Sequence, residues 1–309
     1  MKRRLLGRTG LSVSEIGFGC GPTAGLMVRG DAKTRHEAVA RALELGVDYF
    51  DTAPVYGDTL SERHLGETLR ALNANPVIAT KVALELSDLA DIPGAITRSV
   101  EGSIERLGGK RLDLVQLHNR VAAARATKAD IGTGAMLTVD DVLAEDGVVP
   151  TLERLRARGL VAHFGCCAYG GEPAAVRKLI DSGAFATLLL HYSLNNPSAF
   201  AHCPASLRDY AQLGKHAVES GMGAIALRVL DGGALLSRPA RALQTLARES
   251  DSDLPTLALR YALSNTGIAT ALVGFSDLGQ IESACVAADS GPLPTSLVAR
   301  IDASHGARD

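Results

Sequence analysis

Four side chains in this sequence could together move a proton at a carbon–oxygen bond. Asp51 and Tyr56 lie in "FDTAPVYG" (50–57), Lys81 in "ATK" and His118 in "QLHN". A lysine taken out of water needs a carboxylate, because an unpaired buried ammonium is costly. Asp51 can supply it. Lys81, held charged beside Tyr56, would favour tyrosinate and lower the phenol's pKa from about 10 toward the working range. A tyrosine so tuned can protonate a carbonyl oxygen, or deprotonate an alcohol in reverse. His118 can hydrogen-bond the same oxygen and orient the substrate. The set suits hydride transfer to or from a dinucleotide. Singly, each residue has a plainer reading: a helix cap, a surface phenol, a lysine snorkelling to water, a satisfied histidine. What joins them is where they sit along the chain.

Short apolar runs rich in Val, Ile and Leu recur as "EIGFG" from Glu15, "YFDTA" from Tyr49, "VIATKV" from Val77 and "LDLVQLH" from Leu112. They continue as "VAHFGC" from Val161, "ATLLLHY" from Ala186, "GAIALRV" from Gly223 and "TALVGF" from Thr270. Helical patterns separate them. In "TLSERHLGETLRAL", Leu65, Leu69 and Leu72 share a face, and Thr59 with Glu62 is expected to form a capping box. In "AITRSVEGSIERLGG", Ile96, Val100, Ile104 and Leu107 repeat at helical spacing before a closing Gly108. "VVPTLERLRARG" repeats the logic with Leu152, Leu155 and Gly159.

Strand and helix alternating eight times predict a parallel sheet with helices outside it. Near-continuous apolar strands fit, since parallel strands are buried on both faces. Eight such units in 309 residues predict a single (β/α)₈ barrel domain over 1–309. A doubly wound open sheet would carry a G-x-G-x-x-G turn after an early strand. "GFGCGPTAG" supplies Gly17, Gly19 and Gly21, but helical periodicity resumes only at about Thr34. In a barrel, catalytic groups sit at the C-terminal ends of strands. Asp51, Lys81 and His118 end the second, third and fourth strands, and Tyr56 follows the second, so all four converge on one rim.

The net charge of −2 gives no sign of a nucleic-acid or acidic-membrane partner. Five cysteines, an odd number spread through a long chain, argue against a disulfide framework and for a reducing cytosol. The start, "MKRRLLGRTGLSVSEIG", is basic, but Gly and Ser break its apolar residues, so it does not read as a signal-peptide core. No apolar run approaches the ~20 residues a membrane helix needs. A cytoplasmic protein acting on a small molecule, with no metal site, is expected. There is no tryptophan, so a substrate pocket is built without indoles. The vicinal Cys166–Cys167 reads as a buried strand end. The long stretch 119–147, rich in Ala, Gly and Asp, reads as a lid that starts directly after His118, with a short helix in "LTVDDVLAEDG".

"FDTAPVYG", "TK" and "QLHN", in that order on successive strands, resemble the aldo-keto reductase superfamily. The resemblance starts at "RRLLGRTGLSVSEIGFG", takes in "SERHLGETL" and reaches "ALRYALSNTGIATALVGFSDLGQIE". It implies a (β/α)₈ barrel with an N-terminal hairpin, NADP(H) or NAD(H) bound without a Rossmann domain, and a tetrad of Asp51, Tyr56, Lys81 and His118. It further implies dinucleotide contacts from Gly19, Cys20, Asp51, Cys167, Tyr192, Arg228, Leu230, Gly233, Gly274, Ser276 and Gln280. Several of these depart from the family. Cys167 and Ala168 stand where a Ser-Asn pair holds the carboxamide, and Leu189 where a Gln joins them. Tyr192 matches the aromatic that stacks on nicotinamide. Arg228 replaces the Ser of a Ser-Pro-Leu loop, where it could meet phosphate oxygens or act as a structural ion-pair partner. Ser276 stands where NADP-preferring members place a cation, Ser283 and Ala284 replace an acidic-amide pair, and Asp277 adds negative charge. The expected activity is NAD(P)-dependent interconversion of a carbonyl and an alcohol, with oxidation of aldoses by NAD as a variant. A dinucleotide-binding auxiliary or sensor protein of the same fold is the alternative.

Overall fold

The apolar runs become strands because each is buried on two faces at once. The structure, a computed structural model, describes residues 1–109, 111–125, 134–202, 207–237 and 240–304. An antiparallel hairpin, β1 (Arg3–Leu5) and β2 (Ser12–Ser14), comes first. The barrel strands are β3 (Ile16–Gly19), β4 (Tyr49–Asp51), β5 (Val77–Val82) and β6 (Leu112–Leu117). After a short pair, β7 (Val121–Ala122) and β8 (Leu137–Thr138), come β9 (Val161–Cys167), β10 (Thr187–His191), β11 (Gly223–Leu227) and β12 (Ile268–Gly274). The eight long strands close in the order β3-β4-β5-β6-β9-β10-β11-β12, each parallel to its neighbours. This is the expected (β/α)₈ barrel with its N-terminal hairpin.

Alternation along each strand divides the core in two. Tyr49, Ala79, Leu114, Cys167, Leu189 and Ile225 pack inside the barrel. Phe50, Val82, Val115, Cys166, Leu190 and Tyr192 face outward and meet the helices. The vicinal cysteines are therefore a buried strand end, one thiol on each face.

Two helix ends behave as their sequences suggest. Gly108, at φ 73°, closes Ile92–Leu107, and Gly159, at φ 77°, follows Val148–Ala157. The box expected at Leu60–Ala71 does not form. Thr59 is left-handed (φ 70°) and its side chain caps nothing. Glu62 is fully buried and turns away, accepting from Thr80 Oγ1 and Arg106 Nε, each at 2.6 Å. A carboxylate on the inner face of a helix finds a half-buried guanidinium and a strand hydroxyl before it finds its own N-terminus. Helical structure also resumes earlier after β3 than the sequence implied. A single turn, Leu26–Arg29, precedes a helix over Ala32–Glu44 capped by Asp31, which accepts from the Thr34 N–H.

The hairpin closes the N-terminal end of the barrel. Leu6 and Val13 join the inner core. Arg4 binds Glu15 and donates to the carbonyls of Leu263, Asn265 and Ile268. A cavity of about 400 Å³ beneath it is lined by Leu5, Arg8, Met222 and Ala269. Its arginine is already engaged by the Gly183, Phe185 and Ser220 carbonyls, so it presents no free reactive group.

At the other end, the stretch expected to be a lid is pinned near its base. Asn119 accepts from the Leu84 N–H and donates to the Leu84 and Ala135 carbonyls. β7 pairs with β8, and a short helix, Val139–Leu143, starts from a Thr138/Asp141 capping box. Residues 126–133 of the expected lid lie outside the described residues. No helix among the described residues is long and apolar enough to cross a membrane.

Candidate active site

Parallel pairing places the four reactive residues. β4 lies beside β5 with Asp51 opposite Ala79, and β5 beside β6 with Lys81 opposite Gln116. Asp51, Lys81 and Gln116 thus all point inward near the C-terminal ends of their strands. His118 follows β6, its N–H bonded to the Val82 carbonyl at 2.8 Å. Lys81 and Asp51 are buried, at 1% and 3% exposure, and form an ion pair. Lys81 Nζ also donates to the Thr52 carbonyl at 2.8 Å. The Tyr56 ring lies over this ammonium, its centroid 4.8 Å from Nζ. His118 meets the Tyr56 ring edge-on, with centroids 6.0 Å apart and planes at 81°.

Burial and the single buried cation set the titration of the group. Burial alone would push the Lys81 ammonium down, but Asp51, helped by Tyr56 and Cys167, carries its pKa above the ordinary lysine value. Lys81 therefore stays charged. Burial pushes the Asp51 carboxyl up, against opposing pulls from Lys81 and Gln116. His118 is pushed down to about 3 by burial and the Lys81 charge, which makes it a neutral imidazole. Its Nδ1 is buried without a hydrogen-bond partner. Tyr56 departs from expectation. Lys81 does pull the phenol down, but burial outweighs it and the net shift is upward. The reason is crowding: the ring that reaches Lys81 must enter the same dry interior, and the nearby Asp51 charge opposes tyrosinate as well. Tyr56 is a protonated acid at neutral pH.

The residues expected to contact a dinucleotide separate into groups. Gly19 and Gly274 are paired partners at the ends of β3 and β12. A Cβ on Gly19 would crowd the Val273 carbonyl at 3.1 Å, and one on Gly274 would crowd Ala24 Cβ at 3.1 Å. Cys20 is buried, its N–H bonded to the Asp51 carbonyl at 2.8 Å. Cys167 and Leu189 face the barrel interior as an apolar wall, while Ala168 is buried in the outer core. Burial pushes the Cys167 thiol up to about 12, so it is inert.

Tyr192 is not a free platform. It faces outward, stacked on Tyr261 at 5.7 Å and meeting Phe200 edge-on at 5.1 Å. Strand parity explains this: Leu189 and His191 of β10 point inward, so Tyr192 points to the helices.

Arg228 stands exposed after β11 at φ 56°, its guanidinium 4.7 Å from the Tyr169 ring centroid. Leu230 is half-buried beyond it, and Gly233 is exposed at φ 94°. Ser276 and Gln280 bond each other, through Ser276 N to Gln280 Oε1 at 3.0 Å and Gln280 Nε2 to Ser276 Oγ at 2.8 Å. Asp277 caps the helix Leu278–Asp289 by accepting from the Gln280 N–H. Ser283 is exposed and Ala284 buried.

Sequence reasoning left other rim residues without a role. Gln116 donates Nε2 to Asp51 Oδ2 at 3.0 Å. On the far side of the mouth, His191 bonds Tyr210 Oη through Nδ1 at 3.2 Å and lies 3.4 Å from Asp231 through Nε2. Both departures were signalled by one pattern, a polar residue at an inward position near a strand's end.

Comparisons with known proteins agree with the fold. The model of the Aldo/keto reductase family matches residues 15–305. The chain is similar to L-galactose dehydrogenase of Arabidopsis thaliana, 28% identical over 305 residues that cover 90% of this chain and 85% of that protein. It is 30% identical to pyridoxal 4-dehydrogenase of Microbacterium luteolum over 196 residues, about half of either chain (53% and 54%). Among solved structures, the holo form of aldo-keto reductase AKR11C1 from Bacillus halodurans superposes with a TM-score of 0.76 at 24% identity, covering 100% of this chain and 97% of that one. With its motifs on successive strand ends of a closed parallel barrel and a family match over nearly its whole length, the chain belongs to the aldo/keto reductase family.

Proposed function

We propose that this protein is an NAD(P)-dependent oxidoreductase interconverting a carbonyl and an alcohol, with Tyr56 as the acid and base. The observation that carries this reading is the buried Lys81–Asp51 ion pair with the Tyr56 ring 4.8 Å above the ammonium. A fixed cation beneath a phenol stabilises the charge that develops as the proton leaves. Neutral His118 can donate to the same substrate oxygen without adding charge, which orients the carbonyl.

The dinucleotide fits this mouth in one respect and not in another. Arg228, exposed at the rim, suits a diphosphate, since a guanidinium pairs two oxygens at once. No lysine or arginine lies from Val273 to Ala284, and Asp277 is acidic, so nothing in that stretch suits a 2′-phosphate. A bound nicotinamide would supply or accept the hydride. In reduction, the Tyr56 proton passes to the carbonyl oxygen; in oxidation, Tyr56 takes the hydroxyl proton. Because burial keeps Tyr56 protonated, reduction proceeds at neutral pH and oxidation rises with pH.

Aldoses are the substrates to try first in the oxidative direction. One relative covering most of the chain is named for L-galactose, and the stretch after β12 lacks a cation that would demand NADP(H). The test is turnover of aldehydes and of aldoses, L-galactose included, with each dinucleotide, for the wild type and Tyr56→Phe. Turnover that falls ~10²–10⁴-fold in the variant, with dinucleotide binding kept, supports the reading. Near wild-type turnover in Tyr56→Phe removes Tyr56 from the mechanism. Tight dinucleotide binding with no turnover of any substrate favours an auxiliary or sensor protein, a reading the apolar Cys167–Leu189 wall supports.

A further inference from the structure

Asp51 has two carboxylate oxygens, and burial takes both out of water. Lys81 Nζ reaches Oδ1. Gln116 Nε2 reaches Oδ2 at 3.0 Å. Gln116 is fully buried (0% exposed) and sits opposite Lys81 on the neighbouring strand. Its amide orientation is set by charge: an ionised carboxylate only accepts, so the NH₂ must face it. Oε1 is then left buried without a partner. A residue needed only to fill this space would avoid that cost as leucine or methionine. The amide's use is its donor.

We propose that Gln116 is a positioning residue that holds Asp51 ionised and in the rotamer that reaches Lys81, and through Lys81 fixes the cation beneath Tyr56. The proposal rests on the reading of Tyr56 as the acid and base. Gln116 from β6 bonds the carboxylate, and five titratable groups feel its charge: Lys81 from β5, Tyr49 within β4, Cys20 after β3, Cys167 from β9 and Tyr56 from the following loop. Of these only Lys81 is charged at neutral pH, because burial raises both thiols and both phenols. Gln116 is thus the one further group that favours the ionised form by hydrogen bond. Without it, Asp51 takes up a proton at a higher pH, and Lys81 loses its partner there.

Gln116→Leu and Gln116→Glu test this in the full chain. The readouts are the pH profiles of kcat and kcat/KM and a carboxyl-carbon NMR titration of Asp51. In Gln116→Leu the acid limb of kcat and the Asp51 titration should both move up by about half a pH unit or more, with kcat down roughly tenfold and KM within about twofold. In Gln116→Glu the new carboxylic acid still donates while protonated. Activity should recover toward wild type at low pH and fall as the pH rises and two carboxylates oppose each other. An Asp51 titration and acid limb unchanged in Gln116→Leu overturn the proposal. If that variant does not fold, the Gln116→Glu profile decides: a fall with rising pH supports the proposal, and a wild-type profile overturns it. Tyr56→Phe, run alongside, separates the two readings. Retained turnover in that variant sinks the acid/base assignment, while the Asp51 titration still judges Gln116.

Discussion

His118 stays neutral because its surroundings cannot accept a second positive charge. Its pKa falls to about 3 in the folded chain, against about 6.5 unfolded. The unfolded chain therefore binds this proton first as the pH drops. The stability linked to His118 is fully present above pH ~6.5 and is lost as the pH falls toward ~3, by at most about 5 kcal/mol. His118→Phe should flatten the decline between those limits, read from urea midpoints at a series of pH values. An identical slope in the variant would mean that another group carries the acid sensitivity. The convergence of Asp51, Tyr56, Lys81 and His118 is legible in the sequence because each ends or closely follows an apolar run. The direction of the Tyr56 shift is not. Sequence shows that a cation is near but not how dry its surroundings are, and here dryness wins. Gln116 shows the same limit: a polar residue near the end of "LDLVQLH" marks an inward position, but the sequence does not show that it meets a carboxylate two strands away.

The strands could be read at the scale of elements because parallel strands buried on both faces leave unbroken apolar runs. The errors were of face. The resemblance implies that Tyr192 stacks on nicotinamide, yet parity from inward Leu189 and His191 sends it outward. Glu62 was taken as a capping partner, yet it lies on the buried face of its helix, among Thr80 and Arg106. The two accounts of Glu62 differ in what substitution should cost. A capping box makes Thr59→Ala worth about 1 kcal/mol. The structure, in which the Thr59 side chain caps nothing, expects about 0.5 kcal/mol or less. Glu62→Ala leaves the Arg106 guanidinium without its carboxylate and should cost about 3–5 kcal/mol. Equal losses for the two variants in urea unfolding would contradict the structural account.

Around the closed barrel, β10 lies four strands from β4, so the rim has two opposed sides. Asp51, Lys81, Gln116 and His118 occupy one; His191, Arg228 and Asp231 occupy the other. Under the proposed function, coenzyme choice belongs to Arg228 on the second side and to the loop after β12, which lies between the two sides. With no cation from Val273 to Ala284, NADPH should bind less than a hundredfold more tightly than NADH, a gap below about 2.7 kcal/mol. Dissociation constants at one ionic strength check this, and a larger ratio would reveal a cation supplied from elsewhere, with Arg228 the first candidate. Ser276→Arg should move the ratio toward NADPH if the 2′-phosphate lies beside this loop. The division of the rim is also a division of the chain. The acid/base residues fall within 51–118, and Arg228, Ser276 and Gln280 fall within 228–280. A genetic crossover between two relatives anywhere from 119 to 160 would leave both stretches whole. Under the proposed function, the residues that would discriminate between dinucleotides can therefore be inherited separately from the bond chemistry, as two cassettes of one gene, while Gly19 and Cys20 travel with the first.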